Sequence, residues 1–215
     1  AIPQQGGNAT MSTMCLQAKD GQLNFVGLDG HVLAWDKIDY DGEFELLIPK
    51  NTIDKLKTLG LTGEVRIRHS NAMAIFATED FEICTRLVQG EYYRYQNMFK
   101  ELPLHTVISR KELLDAMVRA KMCTAEKCPV KFEIAGSQLG LSIKDQTTDY
   151  HETVDLQEDI SEELTIGFDA RLVIETLKAF DCDNVGISLQ GPKMPMIVEA
   201  EDSDFKTIVL PVAIK

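Results

Sequence analysis

Two hydrophobic periods alternate along this chain. Apolar residues at or near every second position, the period of a half-buried strand, run through Met14-Cys15-Leu16-Gln17-Ala18 and Leu23-Asn24-Phe25-Val26-Gly27. Lys19-Asp20-Gly21-Gln22 between them reads as a tight turn. Asp29-Gly30 marks a second turn into His31-Val32-Leu33-Ala34-Trp35, and Phe44-Glu45-Leu46-Leu47-Ile48 is a further strand. Pro49 then opens a helix that runs through Leu59 with Gly60 as its stop, because proline is pre-set for a first helical turn and glycine for the residue past the last. Residues 64–68, 72–77 and 81–88 follow as a meander of strands.

The second half carries the same plan at greater length. A strand at 105–109 precedes a helix at 110–122, strands at 131–135, 139–143, 151–156 and 164–168, a helix at 170–180, and strands at 185–189, 194–199 and 205–214. In the 110–122 helix, Leu113, Leu114, Met117 and Ala120 make an apolar stripe, while Lys111, Asp115 and Arg119 recur four apart on another face. Strands flanking amphipathic helices predict sheet-plus-helix layers, an α+β architecture.

The plan is a duplication. Phe44-Glu45-Leu46-Leu47-Ile48 and the helix after it correspond, 120 positions on, to Leu164-Thr165-Ile166-Gly167-Phe168 and Arg171-Leu172-Val173-Ile174. Val65 and Ile67 map onto Val185 and Ile187 at the same offset, and Phe81 answers Phe205 at 124. Leu23 and Phe25 align with Leu139 and Leu141 at 116, which puts the first copy's counterpart of the 110–122 helix around or before residue 1. The chain is therefore expected to start inside a domain, with function at the seam between two copies of one unit. Residues 89–103 form that seam. Its cluster Tyr92-Tyr93-Arg94-Tyr95 suits either a binding surface or simple packing between domains, with packing the first expectation because aromatic side chains dominate buried interfaces.

Composition narrows the function classes. The 215 residues are 44% hydrophobic and 26% charged, ordinary for a globular protein, and the apolar runs are strand-sized. A net charge of −12 argues against a surface that coats nucleic acid, yet the charge is uneven: residues 1–100 hold 10 basic and 13 acidic side chains, residues 101–215 hold 12 and 21. Five cysteines without a C-x-x-C, with Cys15 and Cys84 in apolar strand contexts, suit buried reduced thiols in a cytoplasmic protein. Cys123 and Cys128 lack the further ligands of a metal site, and no metal or other cofactor is expected. Asp29 and His31 could be imagined as an acid–base pair, but Asp29-Gly30 is sufficient as turn chemistry. No nucleophile elbow, phosphate loop or H-E-x-x-H occurs, so no catalytic residues are assigned and a non-enzyme is expected.

Lysines and arginines recur on the helices: Lys50, Lys55 and Lys57 on the first, Lys111, Arg119 and Lys121 on the next, Arg171 and Lys178 on the last. They are either solvated faces or, if the helices share one side of a sheet, a basic stripe on an acidic body.

Several ordered segments resemble one family. Val26-Gly27-Leu28-Asp29-Gly30-His31-Val32-Leu33-Ala34 is similar to the Ala-Thr-Asp-Gly-His-Arg-Leu-Ala signature of the bacterial sliding clamp, the DNA polymerase III β subunit. Leu87-Val88-Gln89-Gly90-Glu91-Tyr92 resembles its Leu-Val-Asp-Gly-Arg-Phe segment, Thr165-Ile166-Gly167-Phe168-Asp169 its Ile-Gly-Phe-Asn stretch, and Val209-Leu210-Pro211-Val212 its closing Val-Met-Pro-Met. The resemblance spans the whole chain, as most of a middle clamp domain (1–99, lacking its first strand and helix) and a whole C-terminal one (100–215).

That resemblance implies tandem DNA-clamp domains, with antiparallel sheets outside and two helices per complete domain on the inner face. It implies a DNA sliding clamp, a processivity factor threaded on duplex DNA without sequence preference. The polymerase III alpha subunit, the clamp loader and repair polymerases would dock short linear peptides, of the Gln-Leu-x-Leu-Phe type, in a pocket between the two domains. The whole protein would be a homodimeric ring closed head to tail; a chain without the first domain is expected not to close it. Carried over by position, the pocket uses Met11, Leu28, Gly30, His31, Val32, Leu33, Asn97, Met98, Cys128, Leu172, Met194, Pro195, Val209, Leu210, Pro211 and Val212. Lys50, Lys57, Arg119 and Arg171 are the DNA-facing candidates. Leu28 stands for the family's Thr, Val32 for its Arg, Tyr93-Arg94 for Pro-Asp, Asn97 for Arg, and Ala213-Ile214-Lys215 for a terminal Arg-Leu. Lost arginines remove charge-assisted anchors, which predicts a more apolar pocket or a different peptide preference. The competing reading is a peptide-binding adaptor of the same fold that does not encircle DNA.

Overall fold

The computed structural model describes residues 2, 9–60, 63–123, 129–144 and 148–214. It divides into two compact units, Ala1–Tyr95 and Gln96–Lys215. The fold is α+β, with antiparallel sheets and three α-helices among the described residues.

In the first unit, β1 (Thr13–Lys19), β2 (Gln22–Leu28), β3 (Val32–Asp39) and β4 (Phe44–Pro49) form a sheet in the order β4-β1-β2-β3. The β1–β2 connection is tight because Asp20 and Gly21 both take positive φ, 54° and 78°. The helix α1 (Lys50–Thr58) begins behind Pro49, which replaces a side-chain cap with a φ of −57°, and Gly60 follows it at φ 57°. A separate three-stranded meander, β5 (Arg66–His69), β6 (Met73–Ala77) and β7 (Glu82–Arg86), completes the unit. Leu16, Leu23, Leu46, Ile48, Ala74 and Phe76 form one core, against which Ile53 and Leu56 of α1 pack. The Thr52 and Thr85 hydroxyls, both buried, meet at 2.7 Å and tie α1 to β7.

In the second unit, β8 (Leu104–Ser109), α2 (Arg110–Met122), β9 (Val130–Lys144), β10 (Asp149–Phe168), α3 (Ala170–Ala179), β11 (Asn184–Leu189), β12 (Met196–Glu199) and β13 (Lys206–Val209) follow in order. Their sheet order is β13-β12-β11-β8-β10-β9. Both helices are capped as their sequence allows: the Ser109 hydroxyl accepts from the Glu112 N–H, and the Asp169 carboxylate from the Arg171 N–H. Such caps each contribute about 1 kcal/mol. Leu113, Met117 and Ala120 of α2 and Val173, Ile174 and Leu177 of α3 are buried, and the rings of Phe132 and Phe168 meet edge to face at 5.1 Å. The strand and helix β8 and α2 have no counterpart among the described residues of the first unit.

Three strand expectations change. Residues 131–135 and 139–143 belong to one continuous β9, which turns through Gly136 at φ 56°. Residues 151–156 and 164–168 likewise belong to one β10, whose register against β9 shifts twice, between Asp155 and Ile160 and between Ile160 and Leu164. The shifts absorb an acidic run in which only Ile160 turns inward. The last strand stops at Val209 rather than 214, because Pro211 offers no N–H to a ladder. One burial expectation fails as well. Cys15 is fully buried, but Cys84 is exposed, since the alternation along β7 turns Thr85 inward to its Thr52 partner and Cys84 outward.

Candidate peptide-docking and DNA-facing residues

In the first unit the candidate pocket residues converge on the β2–β3 turn. Asp29 builds that turn: its carboxylate accepts from the His31 and Val32 N–H groups at 2.8 and 2.7 Å, and its own N–H donates to the Val32 carbonyl at 3.1 Å. Asp29 is therefore engaged in turn chemistry. Gly30 takes φ 87°, and a Cβ there would lie 3.3 Å from the Met11 methyl. Leu28 pairs with Leu33 across the turn. Met11, Leu28, Gly30, His31, Val32 and Leu33 are thus one cluster, with His31 exposed and Val32 and Leu33 buried.

The aromatic run behind this turn packs within the same unit. Tyr92 and Tyr95 are buried; Tyr92 donates to the Val26 carbonyl at 3.4 Å and Tyr95 to the Gln17 side chain at 3.0 Å. Trp35 stacks edge-on against Tyr95 at 5.4 Å and donates to Asn24. Burial pushes both tyrosine hydroxyls well above their ordinary pKa, with the Cys15 thiol adding to it.

In the second unit two segments meet. The register of β12 with β13 sets Met196 opposite Val209, so Met194 and Pro195 enter the pair at the end where Leu210 and Pro211 leave it. Met194 and Leu210 are 44% and 39% exposed, large values for apolar side chains. The chain after β13 is then held down at one point, where the Val212 N–H donates to the Gly167 carbonyl at 2.8 Å. Gly167 stands two residues before the Asp169 cap of α3, so Val212 and Leu172 of the first helical turn flank one strand-to-helix junction. Asn97 and Met98 lie exposed in a 3-10 turn spanning Tyr95–Met98, and Cys128 falls outside the described residues.

The DNA-facing candidates are mostly occupied. Lys50 binds the Asp54 carboxylate one turn along α1, at 2.7 Å. Arg171 grips the α3 cap Asp169 through both nitrogens of its fork, at 3.1 and 2.6 Å. Arg119 on α2 reaches across to Glu152 on β10 with two hydrogen bonds, one of 3.0 Å from Nε and a second from its terminal nitrogen. The Arg119 hydrogen bonds hold the Glu152 carboxyl below its ordinary range, and Glu152 raises Arg119 in return. Lys57 is exposed and makes no ion pair among the described residues. The Lys50–Asp54 pair and the Asp169 cap are visible in the sequence as i,i+4 and i,i+2 neighbours. The partnership of Arg119 with Glu152, 33 residues away, is not.

A family model described as the DNA polymerase III beta subunit, C-terminal domain, matches residues 100–213. The chain belongs to that family. The beta sliding clamp of Streptococcus pneumoniae serotype 4 is 26% identical over 204 residues, which cover 89% of this chain and 53% of that protein. The clamp of Vibrio cholerae serotype O1 is 26% identical over 218 residues, 94% of this chain and 57% of that one. The chain therefore spans about half the length of these curated relatives. The DNA polymerase III subunit beta from Pseudomonas aeruginosa superposes with a TM-score of 0.93 at 23% identity, over 99% of this chain and 61% of that one. The beta subunit from Streptococcus pyogenes does so at 0.92 and 22%, over 100% and 61%. These likenesses establish the sliding-clamp fold of a beta-subunit family member. No helix among the described residues is long and apolar enough to cross a membrane.

Proposed function

We propose that this beta-subunit family member serves as a non-catalytic DNA sliding clamp in the cytoplasm. It would tether the polymerase III alpha subunit, the clamp loader and repair polymerases to duplex DNA through short linear peptides. The whole protein would act as a homodimeric ring. The observation that carries this reading is the pair of apolar clusters, one in each unit, built from the positions that match the family's peptide pocket. Met11, Leu28, Val32 and Leu33 supply one; Leu172, Met194, Pro195, Leu210, Pro211 and Val212 supply the other. Exposed methionine and leucine side chains in the second unit, together with exposed polar groups such as His31 in the first unit and Asn97 in the second, suit an apolar peptide.

A labelled Gln-Leu-x-Leu-Phe peptide should bind saturably in fluorescence anisotropy, and Met194→Ala with Leu210→Ala should weaken it about tenfold or more, as loss of buried anchors does. Absence of saturable binding at high micromolar protein rejects the docking role.

The second reading, an adaptor of clamp fold without DNA encirclement, is favoured by one observation: Lys50, Arg119 and Arg171 are all engaged by carboxylates of their own chain. Retention on a circular duplex separates the two. Neutralising Lys50, Lys57, Arg119 and Arg171 impairs it for a clamp and changes nothing for an adaptor.

A further inference from the structure

We infer that Glu152 is a restraint on duplex grip: it occupies the Arg119 fork so that the cation meets phosphate only weakly. This rests on the reading of Arg119 as DNA-facing. Arg119 stands in the last turn of α2, exposed, while Glu152 is held on β10 and is the less exposed partner, 53% against 25% for the two side chains. The carboxylate is anchored from behind. The Tyr150 hydroxyl lies 2.5 Å from Glu152 and 3.2 Å from the Ala116 carbonyl of α2, so strand, helix and ion pair form one network. Two of the five guanidinium N–H donors are spent on Glu152, in the forked arrangement that a phosphate would otherwise use.

A charge already neutralised on its own chain releases little counterion when phosphate arrives. Because the Glu152 carboxyl is held below its ordinary range, it stays ionised throughout the neutral range. A protein that must move along a duplex needs contacts of this weak, sequence-independent kind. Glu152 acts through Arg119 and is a positioning residue; it need not touch DNA.

The test is fluorescence anisotropy of a labelled duplex at low salt with the full chain and Glu152→Gln, Arg119→Gln, the double variant, and Tyr150→Phe. Arg119→Gln should weaken binding. Glu152→Gln should tighten it roughly two- to five-fold, the range that exposed ion pairs give. It should also steepen the salt dependence by about one phosphate contact, ~0.9 in log–log slope. In the Arg119→Gln background the gain should vanish. Tyr150→Phe, which frees the carboxylate without changing charge, should move affinity in the same direction by less.

An unchanged affinity in Glu152→Gln, or an equal gain without Arg119, overturns the restraint while leaving the DNA-facing reading standing if Arg119→Gln still weakens binding. Wild-type binding that is indifferent to Arg119→Gln, or no duplex binding by any variant, overturns both.

Discussion

Replacing Gly167 by alanine tests how the C-terminal segment of the candidate pocket is held. Gly167 lies in β10, where it pairs with Lys131, and its φ is not positive, so alanine is allowed by the backbone. By itself that change would stabilise by about 0.4–1 kcal/mol, through a less flexible unfolded chain. The space forbids it. A Cβ would lie 2.9 Å from the Val212 carbonyl oxygen and 2.7 Å from Ile214 Cγ1, where ordinary contact starts at 3.4 Å. Ile214 is partly exposed and can rotate away, but the Val212 oxygen is backbone and sits beside the N–H that donates to Gly167 at 2.8 Å. Overpacking of this kind costs about 1–3 kcal/mol, which against that gain leaves a net destabilisation of ~1 kcal/mol at mid-range. If the displaced segment loses most of its hydrogen bond, about 1 kcal/mol, the Val212 amide should exchange about five-fold faster. Urea unfolding and native-state hydrogen exchange measure both quantities. An unfolding midpoint equal to or above wild type, with Val212 protection unchanged, would refute the reasoning, because the segment would then not depend on the bare glycine.

Three further outcomes are expected. Thr52→Val leaves the buried Thr85 hydroxyl, among the described residues, with only its 3.3 Å contact to the Arg86 carbonyl, and should cost about 1 kcal/mol in urea unfolding. Thr52→Val combined with Thr85→Val should recover part of that loss, and strict additivity would argue against the pair. Cys84 should react with a thiol reagent in the native protein and Cys15 only after unfolding, because burial, reinforced by Glu45, pushes the Cys15 thiol far above its ordinary pKa. Quantitative labelling of native Cys15 would contradict its burial. Glu152, through Arg119, and Glu133, through Lys131, are both held below the ordinary carboxyl range. A depressed folded value means that their contribution is complete above the unfolded value of about 4.3 and is lost as pH falls through the folded one. The urea midpoint should therefore drop on acidification below that value, and drop less in Glu152→Gln; an identical drop would exclude the pair as a cause.

Much of the fold was legible because its causes are local. The apolar stripe of the 110–122 helix marks its extent, and the structure places α2 at those limits. The Asp-Gly turns sit where left-handed backbone is needed, and the 120-residue offset already showed one plan used twice. Two strand continuations went unread for a related reason. Gly136 and the bulges near Ile160 continue strands that looked broken, since polar residues interrupt an apolar pattern whether or not the ladder stops.

The candidate sites divide along the same line. Turn chemistry alone indicated Asp29 and Gly30, because that turn rests on neighbours a few residues apart; the Asp169 cap and the Lys50–Asp54 pair are as local but were not read from the sequence. Only the tertiary structure decided that Val212 is pinned by Gly167, that Cys84 faces outward, and that Arg119 is held by Glu152 and Tyr150. Those facts depend on which strand passes which, and a pair separated by tens of residues leaves no mark in local periodicity. The sequence by itself determined the repeated unit, its helices and its family; that the Arg119 cation is engaged by Glu152, 33 residues away, was settled by the packing of α2 against β10.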